Sequence, residues 1–197
     1  MAKIKHTKNE LKAQNEALTR YERFLPMLLL KKQQLQAEIQ GIDAAILEQT
    51  TAEEAQRAHL AAWVELFAEP VELDKIVTIK TISTGEDNIA GVAIPVLKDI
   101  SMARADYDLF ETPSWVDDAA DMVQQLTEIR IAREILEEQR RRIVEELRVT
   151  SQRVNLFEKV KIPECRENIR VIKIFLGDEQ TAAVARGKIA KKRSDSA

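Results

Sequence analysis

A few side chains in this chain are of types that do chemistry. His6 and His59 are potential metal ligands. Glu53-Glu54 and Glu137-Glu138 are potential acid/base pairs. Arg140-Arg141-Arg142 is a potential phosphate contact, and Cys165 a potential reactive thiol. Their spacing argues against each use. The two histidines are 53 positions apart, with no cluster of carboxylates or thiols beside either. The paired glutamates read as solvated helix faces. Glu137, Glu138, Glu145 and Glu146 lie within helical reach of the arginine run, so intrahelical ion pairing accounts for it better than phosphate does. Cys165 falls on an apolar seam, where packing is the expected role. The glycines are too scattered for a phosphate loop, and neither Gly-x-Ser-x-Gly nor His-Glu-x-x-His occurs. The chain is therefore expected to have no catalytic residues, cofactor or metal of its own.

The elements that position these residues come from a seven-residue apolar repeat. Between about Lys8 and Phe67 one series is Leu11, Leu18, Leu25, Lys32, Ile39 and Ile46, and the other is Gln14, Tyr21, Leu28, Leu35, Ile42 and Gln49. Between about Trp115 and Phe175 the series are Trp115, Met122, Ile129, Leu136, Ile143, Thr150, Phe157 and Ala119, Leu126, Arg133, Arg140, Leu147, Val154, Lys161. Beyond Phe157 the seam shifts phase and continues as Cys165, Ile169, Ile172 and Leu176, which predicts a local change of supercoil. Either stretch as one helix would be roughly 90 Å long. Two nearly equal helices joined by a short connector can fold back as an antiparallel pair, although heptads alone do not exclude a parallel homodimer. The expected fold is mainly α: a long antiparallel two-helix coiled coil with a short central β-hairpin and loop segment. The expected divisions are a first helix over 1–68, a hairpin and loop segment over 69–114, a second helix over 115–176 and a basic tail over 177–197.

Composition agrees. Charged residues make up 32% and aromatics 5%, which suits exposed helices around a thin core better than a globular enzyme. The net charge is only −3, but its distribution is uneven. Residues 65–121 carry thirteen acids and four bases, a net of −9; residues 1–12 carry +3 and residues 186–197 carry +4. In a folded-back pair this predicts one basic and one acidic end, hence two different partners. The basic patches are short and the body acidic, which disfavours nucleic-acid binding. The single cysteine suits a reducing cytosolic setting, and the N-terminus lacks the apolar core of a signal peptide. The most apolar run, Phe24–Leu30, is too short to span a bilayer and contains Pro26, so no direct membrane insertion is expected.

Thr7, with Glu10 three residues on, has the pattern of a capping box. Pro26 and Pro163 are expected to bend the first and second helices, and Glu69-Pro70 to end the first. In the connector, Lys75–Ser83 reads as a strand, Thr84–Asn88 as the turn and Ile89–Leu97 as the second strand, with Ile79, Gly85, Gly91 and Pro95 as its marker residues. Residues 98–114 read as loop or short helix, with Ser114 as the second helix's N-cap. Past Gly177 the chain becomes polar and alanine-rich, and Gly187 with Ser194–Ala197 predicts a fraying tail.

The stretch Thr150-Ser151-Gln152-Arg153-Val154-Asn155-Leu156-Phe157-Glu158, followed by Ile162-Pro163, resembles the Thr-x-x-Arg-Val-Asn-x-x-Glu…Ile-Pro signature of the D subunits of V/A-type ATPases. Met27–Leu35 resembles that family's Leu-Leu-Lys-x-Lys-Arg-x-x-Leu block, and Gly91–Pro95 its central Gly-Val-x-Val-Pro piece. The resemblance covers essentially the whole chain in order. Gln152 stands where a second arginine is usual, Leu29 where a lysine is usual, and Pro26 where many members keep a continuous helix.

The resemblance implies a non-catalytic rotor shaft of the central stalk. Its termini would insert into a ring of catalytic A and nucleotide-binding B subunits. Its other end would meet the F subunit of the central stalk and the funnel-shaped subunit above the membrane rotor. Lys31, Lys32, Arg153, Asn155, Arg186, Lys188 and Lys191 are the implied ring-facing residues. Arg153 and Asn155 could instead pair across the helices and fix their register. The location implied is cytoplasmic and peripheral to the membrane. The alternative reading is a coiled-coil adaptor or scaffold unrelated to a rotary motor.

Overall fold

The computed structural model of the protein describes residues 4–61, 76–107 and 112–194. In chain order they form α1 (Lys8–Ala61), β1 (Val77–Ile89), β2 (Val92–Arg104), α2 (Val116–Leu156), a π-helical turn (Phe157–Lys161) and α3 (Ile162–Ser194). The fold is mainly α with one central antiparallel hairpin. The chain divides into two compact units, residues 1–32 with 149–197, and residues 33–148.

The apolar repeat dictates the helix packing. All twelve seam positions of α1 are buried or half-buried, and so are those of the second stretch except Arg140. α1 starts where expected: Thr7 Oγ1 accepts a hydrogen bond from the Glu10 backbone N–H at 3.2 Å. It continues without a break through Pro26. The expected stop at Glu69-Pro70 and the boundary at 68/69 lie outside the described residues.

In the first unit the helix pairing is antiparallel. Tyr21 packs on Phe157 with ring centroids 4.9 Å apart, Gln14 accepts from Asn168, and His6 packs on Phe175 at 4.8 Å. Cys165, Ile169 and Ile172 fill the seam. The phase shift beyond Phe157 has a backbone cause. Residues Phe157–Lys161 form a π-turn, and the Ile162 N–H bonds back to the Phe157 carbonyl, five residues earlier. A π-turn accommodates one extra residue, so the seam resumes one position late, at Cys165 and Ile169. It also immediately precedes Pro163, which has no N–H to give to an α-helical ladder. The irregularity expected at Pro163 is thus a widened turn. α3 runs on through Gly177 and Gly187 to Ser194, so the tail is helical at Gly187; residues 195–197 lie outside the described residues.

In the second unit Leu35 and Ile42 of α1, Ile143 of α2 and Ile94 of β2 form one buried cluster, joined by Ile39, Ile46, Val92, Val96, Leu136 and Leu147. A smaller cluster of Ile76, Val116 and Ala120 seats the hairpin's base on the start of α2. The hairpin therefore lies along the helices, as a two-stranded ribbon must to be stable. The Gln139 amide donates to the Pro95 carbonyl at 2.6 Å and Arg142 to the Ala93 carbonyl at 3.1 Å.

The hairpin's turn is not at Thr84–Asn88. Those residues pair with Leu97–Ala93, and the turn is Ala90-Gly91, flanked by the pair Ile89↔Val92. Residues 98–104, expected as loop or helix, are strand. The ladder has two register irregularities: Lys80 is an extra residue on β1 and Lys98 one on β2, and the second breaks the period-two pattern where residues 98–104 continue the strand. Both turn residues have positive φ, 51° at Ala90 and 83° at Gly91, as a two-residue primed turn requires. The Asn88 carboxamide oxygen accepts from the Gly91 N–H at 2.8 Å. Alanine is strained in this region, so Ala90→Asn is expected to stabilise the hairpin by about 1 kcal/mol, read as a rise in melting temperature. Helix α2 begins at Val116, with Ser114 in the preceding turn.

Candidate partner-binding surfaces

The two units differ sharply in charge. The first, 1–32 with 149–197, holds nineteen Lys and Arg against nine Asp and Glu, a net of +10. The second, 33–148, holds eleven against twenty-four, a net of −13. Sequence windows at the termini and connector captured only part of this separation, because the charge follows the packed units.

Pairing widens the difference. In the second unit every described arginine has a carboxylate partner. Arg140 reaches Asp43 across the helices; Arg141 and Arg142 share Glu138; Arg148 takes Glu145; Arg130 takes Glu134. The arginine run is thus consumed in ion pairs, Arg141 and Arg142 within α2 as the sequence suggested and Arg140 across to α1. At the hairpin's base Arg104 bridges Asp117 at 2.6 Å and Asp121 at 2.8 Å, and Tyr107 donates to Asp117. Glu53, 4% exposed, binds both Arg57 at 2.6 Å and Arg133 across the helices. Arg133 Nε lies 3.4 Å from Glu137 Oε1 without hydrogen-bond alignment.

These pairs perturb titration. Hydrogen bonds from Arg141 and then Arg142 lower the Glu138 carboxyl from 4.5 to about 2. Arg148 lowers Glu145, and Arg170 lowers Glu167, by the same means. A depressed carboxylate contributes stability that is present above its unfolded pKa and lost as pH falls through the folded one. The Glu138 pairs are therefore expected to loosen between about pH 4.5 and 2, and those of Glu145 and Glu167 below the ordinary glutamate range. An NMR titration placing the Glu138 midpoint near 4.5 would contradict this.

In the first unit the cations are less committed. Arg20, Arg23, Arg153 and Arg186 make no side-chain hydrogen bond or ion pair among the described residues. Eleven of the fifteen exposed large hydrophobic side chains among the described residues also lie here, so one unit holds both the uncommitted cations and most of the uncovered apolar surface. Cys165 is buried and its thiol is pushed up by desolvation, so packing is its role.

The candidate residues divide accordingly. Arg153 and Asn155 are exposed on α2 and make no bond across the helices among the described residues. Arg186, Lys188 and Lys191 are exposed on α3. Lys31 and Lys32 are half-buried, Lys32 at a seam position. Pro26 is exposed within α1 and Pro163 follows the π-turn. In the hairpin, Ile79 is exposed, Gly91 makes the turn and Pro95 anchors β2 to α2. Gly85 lies under the Lys98 side chain, whose Cε would be 2.3 Å from an added Cβ. Sequence reasoning missed the exposed group Arg20, Arg23, Phe24, Met27 and Leu30. It is visible only once the seam is used to find which positions face outward.

Among the described residues no group of His, Cys, Asp and Glu is placed to hold a metal, and no helix is long and apolar enough to cross a membrane. Residues 10–192 match the family model of the ATP synthase D subunit. The chain is 44% identical to the V-type ATP synthase D subunit of Borreliella burgdorferi, over 97% of this chain and 95% of that one. It is 37% identical to the protein of the same name from Chlamydia muridarum, over 98% and 96%, and 36% identical to that from Chlamydia caviae, over 98% and 94%.

Proposed function

The chain belongs to the ATP synthase D-subunit family, and on that premise we propose that it is the non-catalytic central rotor shaft of a V/A-type rotary ATPase. It couples ATP hydrolysis or synthesis in a ring of A and B subunits to ion translocation in the membrane sector. It is cytoplasmic and peripheral to the membrane.

The observation that supports this reading best is the division of charge and apolar exposure between the two units. A shaft has two tasks. One part must turn against ring subunits, which calls for a surface that attracts without locking. A net charge of +10 with uncommitted arginines suits this, because long-range attraction falls off smoothly with angle. The other part must stay fixed to stalk partners, which calls for a rigid body. The second unit has its arginines paired and its hairpin pinned by Gln139, Arg142 and the Arg104 cluster. The first unit is therefore assigned to the A/B ring. The second is assigned to the F subunit of the stalk and the funnel-shaped subunit. Arg153, Asn155, Arg186, Lys188 and Lys191 are exposed and available to the ring. Unequal contacts as the shaft turns would give the ATP sites unequal affinities, a coupling between distant sites.

Affinity purification of the tagged full-length chain from its native cell tests the reading. A hexameric ATPase ring and a small stalk partner should copurify, with the ring lost first as salt rises. Recovery of the chain without any ATPase subunit would favour the scaffold reading.

A further inference from the structure

We propose that the outward face of α1 from Arg20 to Leu30 is a docking stripe for an apolar surface edged with carboxylates on a ring subunit. This rests on the assignment of the first unit to the ring.

The argument starts from the seam. In α1 the positions two and five residues after Leu11, Leu18, Leu25, Lys32, Ile39 and Ile46 point away from the partner helix. They are occupied by Ala13, Glu16, Arg20, Arg23, Met27, Leu30, Gln34, Ala37, Gly41, Ala44, Glu48 and Thr51. Met27 and Leu30 are the only large apolar side chains among them, and they are 61% and 57% exposed. Phe24, at 48%, lies three residues before Met27 on the flank. The spacing of 20, 23, 24, 27 and 30 makes neighbours of all five side chains on a helix surface. A solvated coiled-coil face has no reason to concentrate three large hydrophobics there, whereas a contact surface does.

The arginines define the occupant. Arg20 and Arg23 have no carboxylate partner among the described residues, although Glu22 lies between them; Glu22 is taken by Arg166 at 2.8 Å. Two uncommitted guanidiniums beside an apolar strip call for a partner with carboxylates beside an apolar patch. A second copy of this chain would bring the same cations face to face. Lys31 and Lys32 are half-buried, so the stripe's contacts are made by Phe24, Met27 and Leu30, with Arg20 and Arg23 at its edge.

The test uses the assembled complex. A photo-crosslinking benzophenone side chain at Met27 should crosslink to a ring subunit. Crosslinking only to another copy of this chain, or to nothing, overturns the proposal. In a second arm, Met27→Gln with Leu30→Gln should lower ring retention at least tenfold while leaving the melting temperature unchanged. Arg20→Gln with Arg23→Gln should lower retention and flatten its salt dependence. If the wild-type chain holds the ring and both double variants hold it equally well, the stripe is wrong and the rotor reading stands. If the wild-type chain does not hold the ring, both fall.

Discussion

Glu53→Ala is expected to destabilise the second unit by about 3 kcal/mol. Glu53 is the most deeply buried carboxylate among the described residues, at 4% exposure, and it receives two guanidiniums. Arg57 is largely exposed and can return to water when the carboxylate is removed. Arg133 cannot do so as easily. It occupies a seam position on α2, its side chain is only 24% exposed, and its Nε already lacks an aligned acceptor. Without Glu53 the seam keeps a charge with no adequate counter-charge. The loss is thus mostly the penalty of stranding Arg133, and that makes a second outcome predictable. Replacing both residues, Glu53→Leu with Arg133→Leu, should restore most of the stability, because a well-packed apolar pair offsets a buried ion pair. Urea denaturation of the three proteins decides it. If Glu53→Ala melts with the wild type, the pair is not a seam interaction.

The second large effect concerns the π-turn. If Phe157–Lys161 contains one residue more than an α-helix needs, removing Lys159 together with Pro163→Ala should give a continuous α-helix with Val154, Phe157, Ile162, Cys165 and Ile169 still on one seam. The melting temperature should barely change. Removing Gln152 instead, again with Pro163→Ala, allows the same continuous helix but moves Val154 and Phe157 off the seam by one helical step. That exposes Val154, now 3% exposed, and separates Phe157 from Tyr21, a loss of about 3 kcal/mol. Thermal melts of the two deletions should therefore differ widely, although each removes one exposed residue from the same stretch of helix. Equal destabilisation would mean that the π-turn is not what sets the phase.

These effects also explain what the sequence could and could not reveal. The helical seam was legible residue by residue because every heptad partner lies on the same chain and burial follows the repeat. The phase shift at Phe157 was legible too, as a change of period; its backbone form was not, since periodicity does not say where an extra residue is stored. The hairpin's existence followed from the β-branched run at Ile76–Ile82. Its turn was misplaced because Thr84-Gly85-Glu86-Asp87-Asn88 has turn composition, whereas the turn itself contains Ala90, a residue that seldom adopts positive φ. The extra residue at Lys98 then hid the second half of β2. Of the candidate surface, the basic character of the termini was legible. The commitment of each cation was not: whether Arg140 or Arg153 has a partner depends on carboxylates brought close by packing. The outward stripe of Arg20, Arg23, Phe24, Met27 and Leu30 required the seam, the burial and the ion pairs together.

Rotation of this chain within the ring is directly observable. The A/B ring would be fixed to a surface and a bead attached to this chain through an exposed residue of the second unit, such as Lys80. Addition of ATP should then drive stepwise rotation of the bead in one direction. ATP hydrolysis at the normal rate with a bead that only fluctuates would contradict a rotor role for this chain.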